Sequence, residues 1–264
     1  MVEIKFGTDG WRAIIAKEYT VDNVARVAVA TALWVKQNFD SPSIVLGYDC
    51  RFGGEMFAEV AAKVFVVHGV NVKMSRGFVS TPMVSYGTKH FNASMGVVLT
   101  ASHNPPDYNG YKLKSHHGGP LIEEYVKEVE AIIPAEHKVD LDSMSFNGMV
   151  QTGSIEIIDL ETMYVSAIEA NFDLDAIRNS GLNFAYDAMY GSGQNVLKRI
   201  FPEMTFLHCE HNPSFMGQAP EPIHKNLTEF SELIKVRGDI ACGLATDGDA
   251  DRIGLYNSLG EFVD

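Results

Sequence analysis

The chain has only three cysteines, Cys50, Cys209 and Cys242, and no Cys-x-x-Cys pair. So few and so scattered, they exclude a disulfide framework and a zinc ribbon, and the plain expectation is a reduced protein with buried thiols. Long apolar runs are missing too, so nothing in the sequence reaches membrane-spanning length. Met1-Val2-Glu3-Ile4-Lys5 does not open a secretory leader, and the expected compartment is the cytoplasm. Basic residues are scarce, 21 Lys and Arg against 34 Asp and Glu, for a formal charge of −13. That balance excludes a nucleic-acid backbone or an anionic membrane as the main partner. It leaves room for a small anionic substrate, because a few Arg and Lys side chains can dominate one cleft.

What is present is an alternation of short β-rich runs and helical segments over 264 residues, enough chain for two domains. The alternation predicts an α/β class, two tandem α/β domains with mostly parallel mixed sheets flanked by helices. Val24, Val27, Ala28, Thr31, Trp34 and Val35 share one helical face, with Thr20 as N-cap. Ser43 to Asp49 reads as a buried strand with a polar tip, and a helix through Phe57, Val60, Ala61, Val64 and Phe65 stops near Gly69. Strands follow at Val70 to Met74 and Met95 to Leu99, then a helix from Leu121 that ends at Pro134. The stretch from there to about Asp159 reads as an irregular linker, placing the domains at 1–155 and 156–264. In the second, Leu182 to Tyr186 is a strand, Gly191-Ser192-Gly193 a turn leading into a helix through Val196, Leu197 and Ile200, and Asp239 to Ala245 another strand.

Two dense polar clusters sit just past strand ends, where open α/β sheets bind ligands. One is Thr100-Ala101-Ser102-His103-Asn104-Pro105; the other is Asp247-Gly248-Asp249-Ala250-Asp251-Arg252. Three alternating aspartates can direct oxygen ligands at one hard cation. A calcium-binding EF-hand is excluded, since the sixth and twelfth loop positions are Arg252 and Ser258. Arg252 suggests an anion sharing the site with the metal. Ser102 lacks the Gly-x-Ser-x-Gly elbow of a hydrolase, and in an extended segment His103 points away from it. Asn109-Gly110 reads as a turn that brings Lys112 back beside Ser102. At the start, Phe6-Gly7-Thr8-Asp9-Gly10-Trp11-Arg12 reads as a glycine-flanked loop with Arg12 as a fixed positive fork.

Taken in series, Phe6 to Arg12, Thr100 to Lys112 and Asp247 to Arg252 resemble the α-D-phosphohexomutases, the family of phosphoglucomutases and phosphomannomutases. The resemblance implies that Ser102 carries a phosphoryl group and, with Asp247, Asp249 and Asp251, ligates Mg²⁺. It implies that Arg252 holds the seryl phosphate, that Arg12 and Lys112 serve as acid/base or charge-stabilising groups, and that His103 supports the site. The implied activity interconverts hexose 1- and 6-phosphates, glucose or mannose, through a phosphoserine and a 1,6-bisphosphate, with glucose 1,6-bisphosphate as activator. Thr100 leans towards the glucose and mannose branches, since amino-sugar mutases more often carry Ser there. Family members have two further domains for sugar and distal-phosphate recognition, so the expectation is an N-terminal two-domain fragment whose partners include those domains. Two other readings stay open: a metal-dependent phosphatase with Asp247 as nucleophile, and a non-catalytic module binding a cation or a sugar phosphate.

Overall fold

The computed structural model of the chain describes residues 2–7 and 10–263. In the first half, β1 (Trp11–Ile14), α1 (Val21–Asn38), β2 (Ser43–Tyr48), α2 (Gly54–Val67), β3 (Asn71–Ser75), α3 (Thr81–His90), β4 (Met95–Leu99), β5 (Tyr108–Ser115), α4 (Glu123–Ala131), α5 (Phe146–Gln151) and β6 (Ile155–Ile158) follow in turn. Six strands pair in the order β1-β5-β4-β2-β3-β6. Strands β4, β2, β3 and β6 are parallel, while β5 and β1 add antiparallel at one side. The second half holds α6 (Leu160–Asn171), α7 (Leu174–Arg178), β7 (Asn183–Asp187), α8 (Val196–Ile200), β8 (Thr205–Leu207), α9 (Thr228–Arg237), β9 (Ile240–Thr246), β10 (Ile253–Asn257) and β11 (Phe262–Val263). Its five strands pair as β11-β10-β9-β7-β8, parallel from β9 to β8 and antiparallel beyond β9.

The helical period of α1 buries Val24, Val27, Ala28, Thr31 and Val35, and Thr20 caps it by accepting from the Asn23 amide. Burying each such valine contributes about 1.5–3 kcal/mol. With α2 and α4, α1 covers one face of the first sheet. The other face is shared between the halves. Val45, Val79, Met83, Val84 and Val98 pack with Leu160 and Val165 of α6 and with Val196 and Ile200 of α8. The two sheets are therefore joined by core as well as by chain.

Two expectations change here. The stretch from 134 to 159 is not wholly irregular: Ser145 caps α5 by accepting from the Gly148 amide, and Gly153 at φ 76° ends it. The run Ile-Glu-Ile-Ile then joins β3 in parallel as the last strand of the first sheet. Gly153 and Gly148 signal a helix terminus and a cap here, not a loop. Asn109-Gly110 is likewise no turn but lies inside β5, opposite β1. A Cβ on Gly110 would come within 2.4 Å of the Thr100 carbonyl and 2.7 Å of the Trp11 carbonyl, so glycine serves close approach. Of the thiols, Cys50 is buried, whereas Cys209 and Cys242 are half-exposed. Among the described residues no helix is long and apolar enough to cross a membrane.

Candidate active site

Ser102 lies three residues beyond β4, fully buried, with φ 53°. A non-glycine residue in this left-handed region costs roughly 1–2 kcal/mol, so its surroundings must impose it. The Ser102 amide donates to Thr100 Oγ1 at 2.8 Å, and its carbonyl accepts from Arg51 Nη2 at 2.7 Å. Its hydroxyl donates to Asp247 Oδ2 at 2.7 Å. The extended conformation expected around Ser102 is thus replaced by a sharp bend. That bend brings His103 Nδ1 to 3.3 Å from Ser102 Oγ instead of turning the ring away.

The aspartate loop follows β9 and is braced from both halves. Asp247 Oδ1 accepts from the amides of Asp251 and Arg252, each at 3.0 Å. Ala250, at φ 53°, makes the turn that points Asp249 inward. Thr81, first residue of α3, gives its amide to the Asp249 carbonyl at 2.9 Å and its hydroxyl to Asp249 Oδ2 at 2.6 Å. Ser192 sends both amide and hydroxyl to the Gly248 carbonyl, at 2.9 and 3.1 Å. The Gly-Ser-Gly turn is therefore a brace for this loop as well as the approach to α8. Lys112, buried in β5, bridges Asp249 Oδ2 at 2.8 Å and Asp251 Oδ2 at 2.9 Å. The antiparallel placement of β5 beside β4 brings Lys112 here, not a turn at Asn109-Gly110.

A divalent cation fits this arrangement. The three carboxylates come within 4.8 Å of one another, and Asp249 Oδ1 is buried without a hydrogen-bond partner. Burial, reinforced by the Asp249 charge, pushes the Asp247 carboxyl up to about 8. Burial acts on Asp249 in the same sense, but the Lys112 charge and hydrogen bond outweigh it and bring that carboxyl below its usual range. A cation among such groups would favour the charged form of Asp247. All-oxygen ligands suit magnesium or calcium.

The mouth of the site is basic. Arg12 Nη1 donates to Asn104 Oδ1 at 2.8 Å. Burial, then the charges of Arg252 and Arg12, depress His103 below its usual value, favouring the neutral ring at pH 7. Arg252 is exposed, its amide tied to Asp247. Ser102, His103, Lys112, Asp247, Asp249, Asp251, Arg12 and Arg252 thus converge on one place. In the first loop the Gly7 amide donates to the Gly10 carbonyl at 2.9 Å, while Thr8 and Asp9 lie outside the described residues. Sequence reasoning missed Thr81, Asp49 and Arg51; a Ser-Thr-Pro helix start and a charged pair at a strand tip were the available signals.

Two α/β halves presenting a serine loop to an aspartate loop define a candidate phosphoryl-transfer site. Residues 3–140 match the model for phosphoglucomutase/phosphomannomutase alpha/beta/alpha domain I, and residues 162–260 that for alpha/beta/alpha domain II. The chain belongs to the phosphoglucomutase/phosphomannomutase family. Among its relatives, the phosphoglucomutase/phosphomannomutase of Thermococcus kodakarensis is 32% identical over 98% of this chain and 56% of its own length. A phosphoglucosamine mutase of Bacillus cereus is 30% identical over 98% of this chain and 56% of its own. A crystal structure from Thermus thermophilus, described as a phosphomannomutase, superposes with a TM-score of 0.89 at 33% identity. The match covers 99% of this chain and 58% of that one. The chain spans about half the length of the curated relatives it matches.

Proposed function

We propose that this chain carries the phosphoryl-transfer half of a magnesium-dependent mutase that interconverts hexose 1-phosphate and hexose 6-phosphate, of glucose or mannose. The observation that carries the reading is the Ser102 hydroxyl, 2.7 Å from Asp247 across the junction of the two sheets. A phosphorylated Ser102 gives its phosphoryl group to the free hydroxyl of the hexose monophosphate. The bond from phosphorus to Oγ breaks, a bond to the sugar oxygen forms, and the sugar's proton passes on balance to Oγ. The 1,6-bisphosphate turns over, and its other phosphoryl group returns to Ser102 by the reverse steps. Lys112, Arg12 and His103 are the groups assigned to hold charge and carry the proton. Arg252 is assigned to the seryl phosphate.

Asp247, Asp249, Asp251 and the phosphate on Ser102 would hold Mg²⁺, which would neutralise part of a phosphoserine charge of about −1.5 to −2. Phosphoryl transfer depends chiefly on such positioning and charge stabilisation. Sugar and distal-phosphate recognition are assigned to the part of the relatives that this chain does not match. Thr100 leans the choice of hexose towards glucose or mannose, and its hydroxyl bonds Asp49 and the Ser102 amide. The phosphatase reading, with Asp247 as nucleophile, is separated from this one by the Ser102→Ala and Asp247→Asn variants below.

Mass-spectrometric site mapping after incubation with glucose 1,6-bisphosphate and Mg²⁺ tests the proposal. The expected result is one phosphoryl group on Ser102 and none in Ser102→Ala. A Ser102→Ala protein that retains full mutase or phosphatase activity, with activity lost in Asp247→Asn, would overturn it.

A further inference from the structure

Asp49 and Arg51 lie at the tip of β2, beneath the Ser102 loop, and both are buried. Arg51 Nη2 donates to the carbonyls of Ser102 at 2.7 Å and Asn104 at 2.6 Å; Nη1 donates to those of Pro105 at 2.8 Å and Tyr108 at 2.9 Å. One guanidinium thus collects four carbonyls of a single loop. Asp49 aims it: Oδ1 accepts the Arg51 amide at 3.0 Å, and Oδ2 lies 3.3 Å from Arg51 Nε. Asp49 Oδ2 also accepts from Thr100 Oγ1 at 2.6 Å, and that same oxygen of Thr100 accepts the Ser102 amide. Both backbone polar groups of Ser102 therefore trace back to this pair. The other half of the chain closes the arrangement, with the Phe215 ring centred 5.1 Å from Arg51 Cζ. Phe215 is itself buried and left-handed, at φ 46°.

We propose that Asp49 and Arg51 are positioning residues for phosphoryl transfer. They clamp Ser102 in the left-handed backbone that aims Oγ at Asp247, and Phe215 seals the clamp from the second half. The inference deepens the phosphoryl-transfer reading and rests on it for its catalytic meaning. Ser102 alternates between a neutral hydroxyl and a doubly charged ester, and a left-handed serine relaxes to extended backbone once its restraints are gone. Relaxation would swing Oγ away from the carboxylates. A planar fork with donors fixed in one plane can serve four carbonyls; a lysine ammonium cannot.

Arg51→Lys keeps the charge and removes the fork. Hydrogen–deuterium exchange should then speed up at least about ten-fold across residues 102–108 while residues 247–252 keep their protection. With glucose 1,6-bisphosphate as donor, phosphoryl uptake by Ser102 at saturating donor should fall roughly 10- to 100-fold. The half-saturating donor concentration and the Mg²⁺ affinity should stay within about two-fold of the parent. Thr100→Val, which cuts the relay without touching Arg51, should slow uptake in the same way, and Thr100→Ser should restore it. Unchanged exchange over 102–108 in Arg51→Lys overturns the clamp, as does a loss of Mg²⁺ affinity in step with uptake. A parent protein that takes no phosphate defeats the phosphoryl-transfer reading alone, because the exchange measurement judges the clamp without it.

Discussion

Gly248→Ala tests whether the contact between the serine loop and the aspartate loop is as close as the site requires. The Gly248 backbone lies against Ser102, and a Cβ there would sit 2.5 Å from the Ser102 carbonyl and 3.1 Å from Pro220 Cγ. The carbonyl in its way is held by Arg51, so neither side yields freely. Restoring ordinary contact needs the two loops to part by roughly 0.5–1 Å. Overpacking of this kind costs about 1–3 kcal/mol of stability. A misplacement near 1 Å costs on the order of 100-fold in rate. The Ser102 to Asp247 hydrogen bond, 2.7 Å across the same gap, is the first to stretch. Thermal unfolding and the initial rate of Ser102 phosphorylation measure the two effects. An alanine protein that takes up phosphate at the parent rate would show that the loops move independently and would refute the reasoning.

Two further outcomes are expected. Asp247 is raised to about 8 and Asp49 to about 6, both chiefly by burial, so the folded chain binds extra protons between about pH 4 and those values. Their contribution is present below the unfolded value and is lost as pH rises. Without divalent cations the melting temperature should therefore fall from pH 5.5 to 8, and Asp247→Asn should flatten the decline; a parent slope retained in the variant contradicts this. Thr81→Val removes the 2.6 Å hydrogen bond to Asp249 Oδ2. A bond to a charged group is worth about 1.5–3 kcal/mol, so calorimetry should show Mg²⁺ binding weakened by about ten-fold or more, and parent-like affinity would remove Thr81 from the site.

What the sequence discloses depends on whether a residue acts locally. The face of α1 and its Thr20 cap are local, and both were legible. So was the position of Ser102 and the aspartates beyond strand ends, because β4 and β9 are short apolar runs with clear limits. Gly110 misled because a glycine at a turn and a glycine under a neighbouring carbonyl look alike in sequence. Lys112 reaches the aspartates Asp249 and Asp251 from inside β5, by strand pairing and not by a turn. The bend at Ser102 was not legible, being imposed by Arg51, 51 residues away in sequence. Thr81 meets Asp249 across 168 residues, and no local pattern announces a contact of that range.

The hold of Thr81 on the aspartate loop has a mechanical consequence. The backbone and side chain of one residue from the first half grip Asp249 in the second, close to the shared core of α3, α6 and α8. A hinge between the halves would have to break the site in order to open it. The two halves are therefore tied at the candidate site itself, and on the mutase reading proposed above a bisphosphate that turns over would lift off and settle again on a surface built jointly by both.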